Sequence, residues 1–493
     1  GYHALEDLNA GTNALNVGIG YNAGANLTTG IRNTLIGANA GDDLTDADDN
    51  VAIGRQALSS DTLGSKSVAI GNDTLFAQNF TTATDSHNTA VGYAAGVAVS
   101  TGVSNTLIGS QSGDALTTGG YNVAVGNLAL STEDTSDNNT AVGYAALMTL
   151  NGGTQNVALG QSAAVAMTTG NQNTIIGTSA GDALTDADGN VALGTLALTS
   201  DTLGSDSVAI GNNALSSQNF TTATSSYNVA IGKNAGLNIT TGIQNTLIGG
   251  LAGAALTDAD RNTAVGYQAL TSDTQGSKST ALGYNALSVQ NFSSATDSLN
   301  TAVGFEAGEN VTTGVANTLM GGLTGDALTT GGYNVAVGQN ALSADTLGSL
   351  TTAIGQGALA NQNFTTATHT FNTAVGYDAG SAVTTGAQNT FVGGLSGDGT
   401  NDGLRNTAVG YLALSANADN DNTAIGVEAL SVTTAANSTA VGQKAGSALT
   451  SGSNCLFLGQ NAGLTGNPGG NFTTQSNALV IGNVSTSAAH VQV

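Results

Sequence analysis

Several short stretches have the residue types and spacing of chemical sites. Gly177-Thr178-Ser179-Ala180-Gly181 matches the G-x-S-x-G elbow, in which a serine nucleophile is raised on a strand-to-helix turn. Asp46-Ala47-Asp48-Asp49-Asn50 recurs as Asp186-Ala187-Asp188-Gly189-Asn190 and Asp258-Ala259-Asp260-Arg261-Asn262. That D-x-D-x-N string is half of an EF-hand loop, so Asp46, Asp48, Asp186, Asp188, Asp258 and Asp260 are the candidate calcium ligands. Gly64-Ser65-Lys66-Ser67 has phosphate-loop residue types but neither their order nor the upstream glycine. Four phenylalanines, Phe80, Phe220, Phe292 and Phe364, each lie in a Thr- or Ser-rich segment, a composition suited to stacking on a sugar. They are the candidate receptor contacts, and the competing expectation is that they fold back and cap a groove. The histidines at 3, 87, 369 and 490 are scattered, and the single cysteine, Cys455, can form neither an intrachain disulfide nor a cysteine-based zinc site.

The elements that must position these residues form one repeated unit. Asn88-Thr89-Ala90-Val91-Gly92-Tyr93-Ala94-Ala95-Gly96 has variants from one end of the chain to the other. Indexed on the glycine that closes the strand motif, 27 copies run from Gly20, Gly37, Gly54 and Gly71 to Gly482, mostly 17 residues apart. Such a period predicts an all-β parallel solenoid, a β-roll of about 27 coils, each stacked on the last. Four residues before the glycine comes Asn in 20 of the 27 coils, and Cys455 takes that place once. Thr or Val follows, then usually Ala, then an aliphatic residue. This five-residue piece reads as a short strand ended by glycine. The Asn column reads as a corner ladder of hydrogen bonds, with Cys455 as a buried rung.

A second period spans four coils. The residue four past the glycine alternates two small with two large: Gly24, Gly41, Leu58, Leu75, then Gly96, Gly113, Leu130, Leu147. The residue two before the glycine is large every fourth coil, at Leu35, Leu107, Ile175, Leu247, Leu319, Phe391 and Phe457, and each of those coils has Gly in the other column. The two columns are therefore expected to face each other inside the roll, keeping core volume constant. Four intervals are 21 residues long and carry the Phe segments, as in Asn79-Phe80-Thr81-Thr82-Ala83-Thr84, whereas the four-coil unit ending at Gly143 lacks the insertion. Residues 1–470 read as the repetitive shaft and 471–493 as a terminal coil and tail. Gly1-Tyr2-His3-Ala4-Leu5 already reads as the second half of a coil, so a fragment or processed product is expected, with any signal or anchor outside it.

In register with Gly37-Ala38-Asn39-Ala40-Gly41, the Ser179 elbow is an ordinary coil, and no helix is expected after it. Asx-turns account for the aspartate strings, which lack the later bidentate Glu. No catalytic residue, cofactor or enzyme activity is expected. A net charge of −25 with eight Lys and Arg argues against nucleic acid. No run of 18 apolar residues is present, so no membrane span is expected. Both strand faces are apolar, and one thin coil buries only one of them. The simplest cover for the other is identical chains around an axis, in a rod of roughly 125–130 Å at ~4.8 Å per coil.

Ser67-Val68-Ala69-Ile70-Gly71 and Ser207-Val208-Ala209-Ile210-Gly211 resemble the repeats of YadA-like heads in trimeric autotransporter adhesins. That resemblance implies a left-handed parallel β-roll assembled as a homotrimer. Asn262-Thr263-Ala264-Val265-Gly266-Tyr267-Gln268-Ala269-Leu270 is similar to the shaft repeats of bacteriophage tail fibres. The closing stretch Asn477 to Gly482 is similar to fibres just before a chaperone or tip domain. The resemblance implies a rigid extracellular shaft on a virion tail, with tip and anchor segments outside this stretch and a cell-surface glycan as partner. Two other readings are a bacterial cell-surface trimeric adhesin or filament, and an ice- or glycan-binding solenoid that would need a flat Thr array.

Overall fold

The computed structural model describes residues 1–11, 13–464 and 472–483. The chain forms two compact units, Gly1–Asn245 and Thr246–Val493. Each is a parallel β-solenoid, and among the described residues there is no helix. Thirteen three-residue strands, Val17–Ile19 to Val229–Ile231, run through the first unit, and fourteen, Thr246–Ile248 to Leu479–Ile481, through the second. The expected shaft–tail boundary at 470/471, residues 484–493 and His490 lie outside the described residues.

The strands are three residues long, not five. At one end the Asn side chain, not the main chain alone, bonds along the stack. Asn33 Oδ1 accepts the Asn50 backbone N–H at 3.0 Å, and Asn33 Nδ2 donates to Ala47 O at 2.7 Å. The pattern repeats at Asn105–Asn122 and Asn317–Asn334. At the other end the closing glycine has φ near +140° (Gly92, +141°; Gly126, +141°), a backbone that side chains rarely adopt. A Cβ there would also strike the next coil, since one at Gly126 would overlap the Gly143 carbonyl. The column is glycine in every coil for both reasons.

Each strand turns its middle residue inward, and its first and third residues outward. Ala52, Ala69, Ala90 and Leu107 in the middle column are fully buried. The expected size pairing is present. A methyl on Gly96 would lie 2.7 Å from Leu107 Cδ1, one on Gly113 2.8 Å from Leu107 Cδ2, and one on Gly380 2.7 Å from Phe391 Cδ2. Space, not backbone conformation, selects glycine there. The same position is left-handed when it is leucine, with Leu58 at φ 56°, Leu75 at 48° and Leu130 at 54°. Each such leucine accepts roughly 1–2 kcal/mol of backbone strain, offset by burial of its whole side chain.

The 21-residue steps leave the sheet register intact. Val68, Ala69 and Ile70 pair with Thr89, Ala90 and Val91 across one. The extra residues leave at the corner and add a small parallel pairing, Gly64–Ser65 with Thr84–Asp85, repeated at Gly204–Ser205 with Thr224–Ser225, Gly276–Ser277 with Thr296–Asp297, and Gly348–Ser349 with Thr368–His369. Steps of 16 and 23 residues also keep the register, as in Thr407↔Thr423 and Leu456↔Leu479.

Candidate functional site

The four candidate receptor contacts are buried. Phe80, Phe220 and Phe292 are 5% exposed and Phe364 7%, so their rings present almost no face to a ligand. The physical reason lies in the preceding coil. A fully buried Asp61 accepts the backbone N–H of Gly64 and of Phe80 on Oδ1, each at 3.1 Å, and the Gln78 amide on Oδ2 at 2.6 Å. Gln78 also donates to Ser67 Oγ at 2.9 Å and accepts from Asn88 Nδ2 at 2.9 Å. Ser67 and Ser86 bond through their hydroxyls. The Phe80 ring lies so close over Gly64 that an added methyl would sit 2.8 Å from it.

The same clamp is built at Asp201–Gln218, Asp273–Gln290 and Asp345–Gln362, with amide-to-carboxylate distances of 2.6, 2.5 and 2.6 Å. Burial pushes the Asp345 carboxyl up, against the hydrogen bonds from Gln362 and the backbone that hold it down. What projects from each insertion is its polar tip, exposed at Thr81, Thr82 and Ala83 in the first.

The candidate calcium ligands do not converge. Ala47, Ala187 and Ala259 between them are buried, so the flanking aspartates splay outward along the coil. Their oxygens are engaged along the stack. Asp46 Oδ1 accepts from Thr29 Oγ1 at 2.6 Å and Asp48 Oδ1 from the Ile31 N–H at 2.8 Å. Asp186 and Asp188 repeat this with Thr169 and the Asn171 N–H, whereas Asp258 Oδ1 accepts from the adjacent Thr257 at 3.1 Å. In the Asp260 coil the backbone N–H donates to Ser277 Oγ at 3.0 Å. Among the described residues no three His, Cys, Asp or Glu gather to hold a metal. Ser179 occupies a left-handed coil corner, its N–H donating to the Gln161 carbonyl at 2.9 Å, with no helix behind it. Cys455 is a buried rung, its thiol against Gln475 O at 3.2 Å.

Two outward columns remain. The aliphatic residue before each closing glycine is partly exposed in a single chain, intermediate in most coils and more open in others, at 44% for Leu159 and 43% for Met320. Just past the glycine comes a variable column in which Tyr21, Tyr93, Tyr144, Tyr267, Tyr284, Tyr377 and Tyr411 are exposed. Three consecutive members stack. Tyr267 and Tyr284 have ring centroids 5.8 Å apart at 17°, and Tyr284 and Phe305 5.3 Å apart at 8°.

Sequence reading missed the Asp–Gln clamp, although a signal existed: Gln78, Gln218, Gln290 and Gln362 each stand ten residues before the coil's Asn, and only in the four coils with insertions. It also missed a column of half-buried acids. Asp42, Asp114, Asp326 and Asp398 each bury Oδ1 without a hydrogen-bond partner. Burial pushes their carboxyls up, that of Asp42 to about 6. Asp43 repels Asp42, Glu309 and Glu306 repel Asp326, and Asp378 repels Asp398. At the equivalent Asp182, Thr199 supplies the missing hydroxyl.

The chain matches no protein-family model and no curated relative.

Proposed function

We propose that this chain is the shaft of an extracellular fibre, of the kind found in phage tail fibres, in which three copies pack their aliphatic columns together. The observation that carries the reading is the residue before the closing glycine. It is aliphatic in every coil, apart from Met320, yet nowhere fully buried in one chain. Within either unit, an apolar strip repeated over so many coils is larger than a lone soluble chain tolerates. The neighbouring column, by contrast, admits Arg55, Asn72, Ser110, Gln161 and Lys233, the composition of a solvated rim. A shaft also needs no catalytic centre, and its strength comes from backbone bonds repeated coil after coil. A bacterial cell-surface adhesin would use the same assembly. Light scattering tests the reading directly: the expected mass is three times 48.1 kDa. A monodisperse 48.1 kDa species would sink it.

A further inference from the structure

With the insertion phenylalanines buried, any ligand of this molecule must be met elsewhere. Tyr267, Tyr284 and Phe305 occupy one column on three successive coils and are 49%, 45% and 53% exposed. Each ring leans over the coil before it. A methyl on Gly250 would lie 3.4 Å from the Tyr267 ring, and the next two rings overlap in turn. The run ends in open space, since a methyl on Gly322 would meet nothing nearer than the Phe305 carbonyl oxygen at 3.9 Å. A glycine thus bounds the strip at each end, and the outer face of Phe305 is uncovered.

The next residue of each coil is polar: Gln268, Asn285 and Glu306. Asn285 donates to Glu309 Oε1 at 3.2 Å, while its own Oδ1 is buried with no donor. An apolar shelf beside hydrogen-bonding groups suits a ligand that has both an apolar face and hydroxyl donors. Glu306 and Glu309 add negative charge to the site, on a chain that is already at −25, and so oppose an anionic ligand. Because the column is polar in so many other coils, it lies at the rim of the proposed trimer rather than inside it.

We propose that Tyr267, Tyr284 and Phe305 form a stacking platform for a neutral oligosaccharide, with Gln268, Asn285 and Glu306 hydrogen-bonding its hydroxyls. This deepens the fibre reading and rests on it for the place where such a sugar is met. Calorimetric titration of the full chain, in its native assembly, with cellohexaose, maltohexaose and chitohexaose tests it, with hexagalacturonate as the anionic probe.

At least one neutral probe is expected to bind. Tyr284→Ala should weaken that binding about tenfold, Tyr284→Phe should retain it, and removal of the solitary ring in Tyr93→Ala should leave it unchanged. Melting temperatures of the variants, expected to stay at the parent value because the rings are half in solvent, separate lost binding from lost fold. The proposal is overturned if no neutral probe binds, if Tyr284→Ala binds as the parent does, or if hexagalacturonate binds as tightly. Failure of the shaft reading appears independently, as a monomeric mass in light scattering.

Discussion

Two corners of the same solenoid solve one problem differently. In the coil pair 54–88 an aspartate, Asp61, sits fully buried and every oxygen is matched: two backbone N–H groups on Oδ1 and the Gln78 amide on Oδ2. In the pair 126–156 there is no insertion, and the corresponding residues are Glu133 and Leu150. Glu133 Oε1 accepts the N–H groups of Asp134, Thr135 and Ser136 at 3.1, 3.1 and 2.8 Å. Its Oε2 and the Ser136 hydroxyl are buried without partners. A buried acid at this corner caps the turn in either case. The glutamine and the insertion come together, because the amide that completes the acid also holds the next Asn, and the insertion brings the phenylalanine N–H and ring that close the corner. The insertion is therefore part of the core, with only its tip left outside.

That comparison can be broken at several points. The largest effect is expected from Phe220→Ala, which should cost about 3–4 kcal/mol because it empties a buried aromatic site. Hydrogen exchange should show lost protection at Gly204–Ser205 and Thr224–Ser225; unchanged protection would mean that the ring is not core. Next comes Gln78→Leu, which copies the insertion-free corner into an insertion-bearing one. It leaves Asp61 Oδ2 without its donor and should cost about 2–3 kcal/mol, read as a lower urea midpoint or as local exchange around Gly64–Ser65. The reverse substitution sharpens the comparison. Leu150→Gln offers Glu133 Oε2 the donor it lacks and should add about 1 kcal/mol, and a loss of stability would show that the two corners are not equivalent.

The smallest effect is a pH dependence of unusual sign. Asp42, Asp114, Asp326, Asp345 and Asp398 have folded-state pKa values above the ordinary carboxylate value. The folded chain then binds more protons than the unfolded one, so stability rises as pH falls through the raised values, about 6 for Asp42. Asp49 and Asp421, held low by Arg32 and Arg405, act oppositely, but only below the ordinary carboxylate range. The melting temperature is expected to be a few degrees higher at pH 5 than at pH 7. The gain should shrink in Asp42→Asn. A melting temperature that falls from pH 7 to 5 would refute the burial argument.

The sequence by itself determined everything that depends on translation along the stack. Residues 17 apart become neighbours once each coil lies on the last, so a column of Asn becomes a ladder, and Leu107 among Ala residues demands Gly96 and Gly113 opposite it. Periodicity carries that information without any knowledge of direction. Direction is what only the tertiary structure decided. Spacing does not say whether Phe80 points out to a ligand or back onto Gly64, nor that a buried alanine between Asp46 and Asp48 drives their carboxylates apart. It does not say that Asp61 reaches Gln78 across the corner, or that Tyr267, Tyr284 and Phe305 overlap on the outside. Those outcomes depend on how the backbone at each corner aims its side chains inward or outward, and no count of intervals contains that.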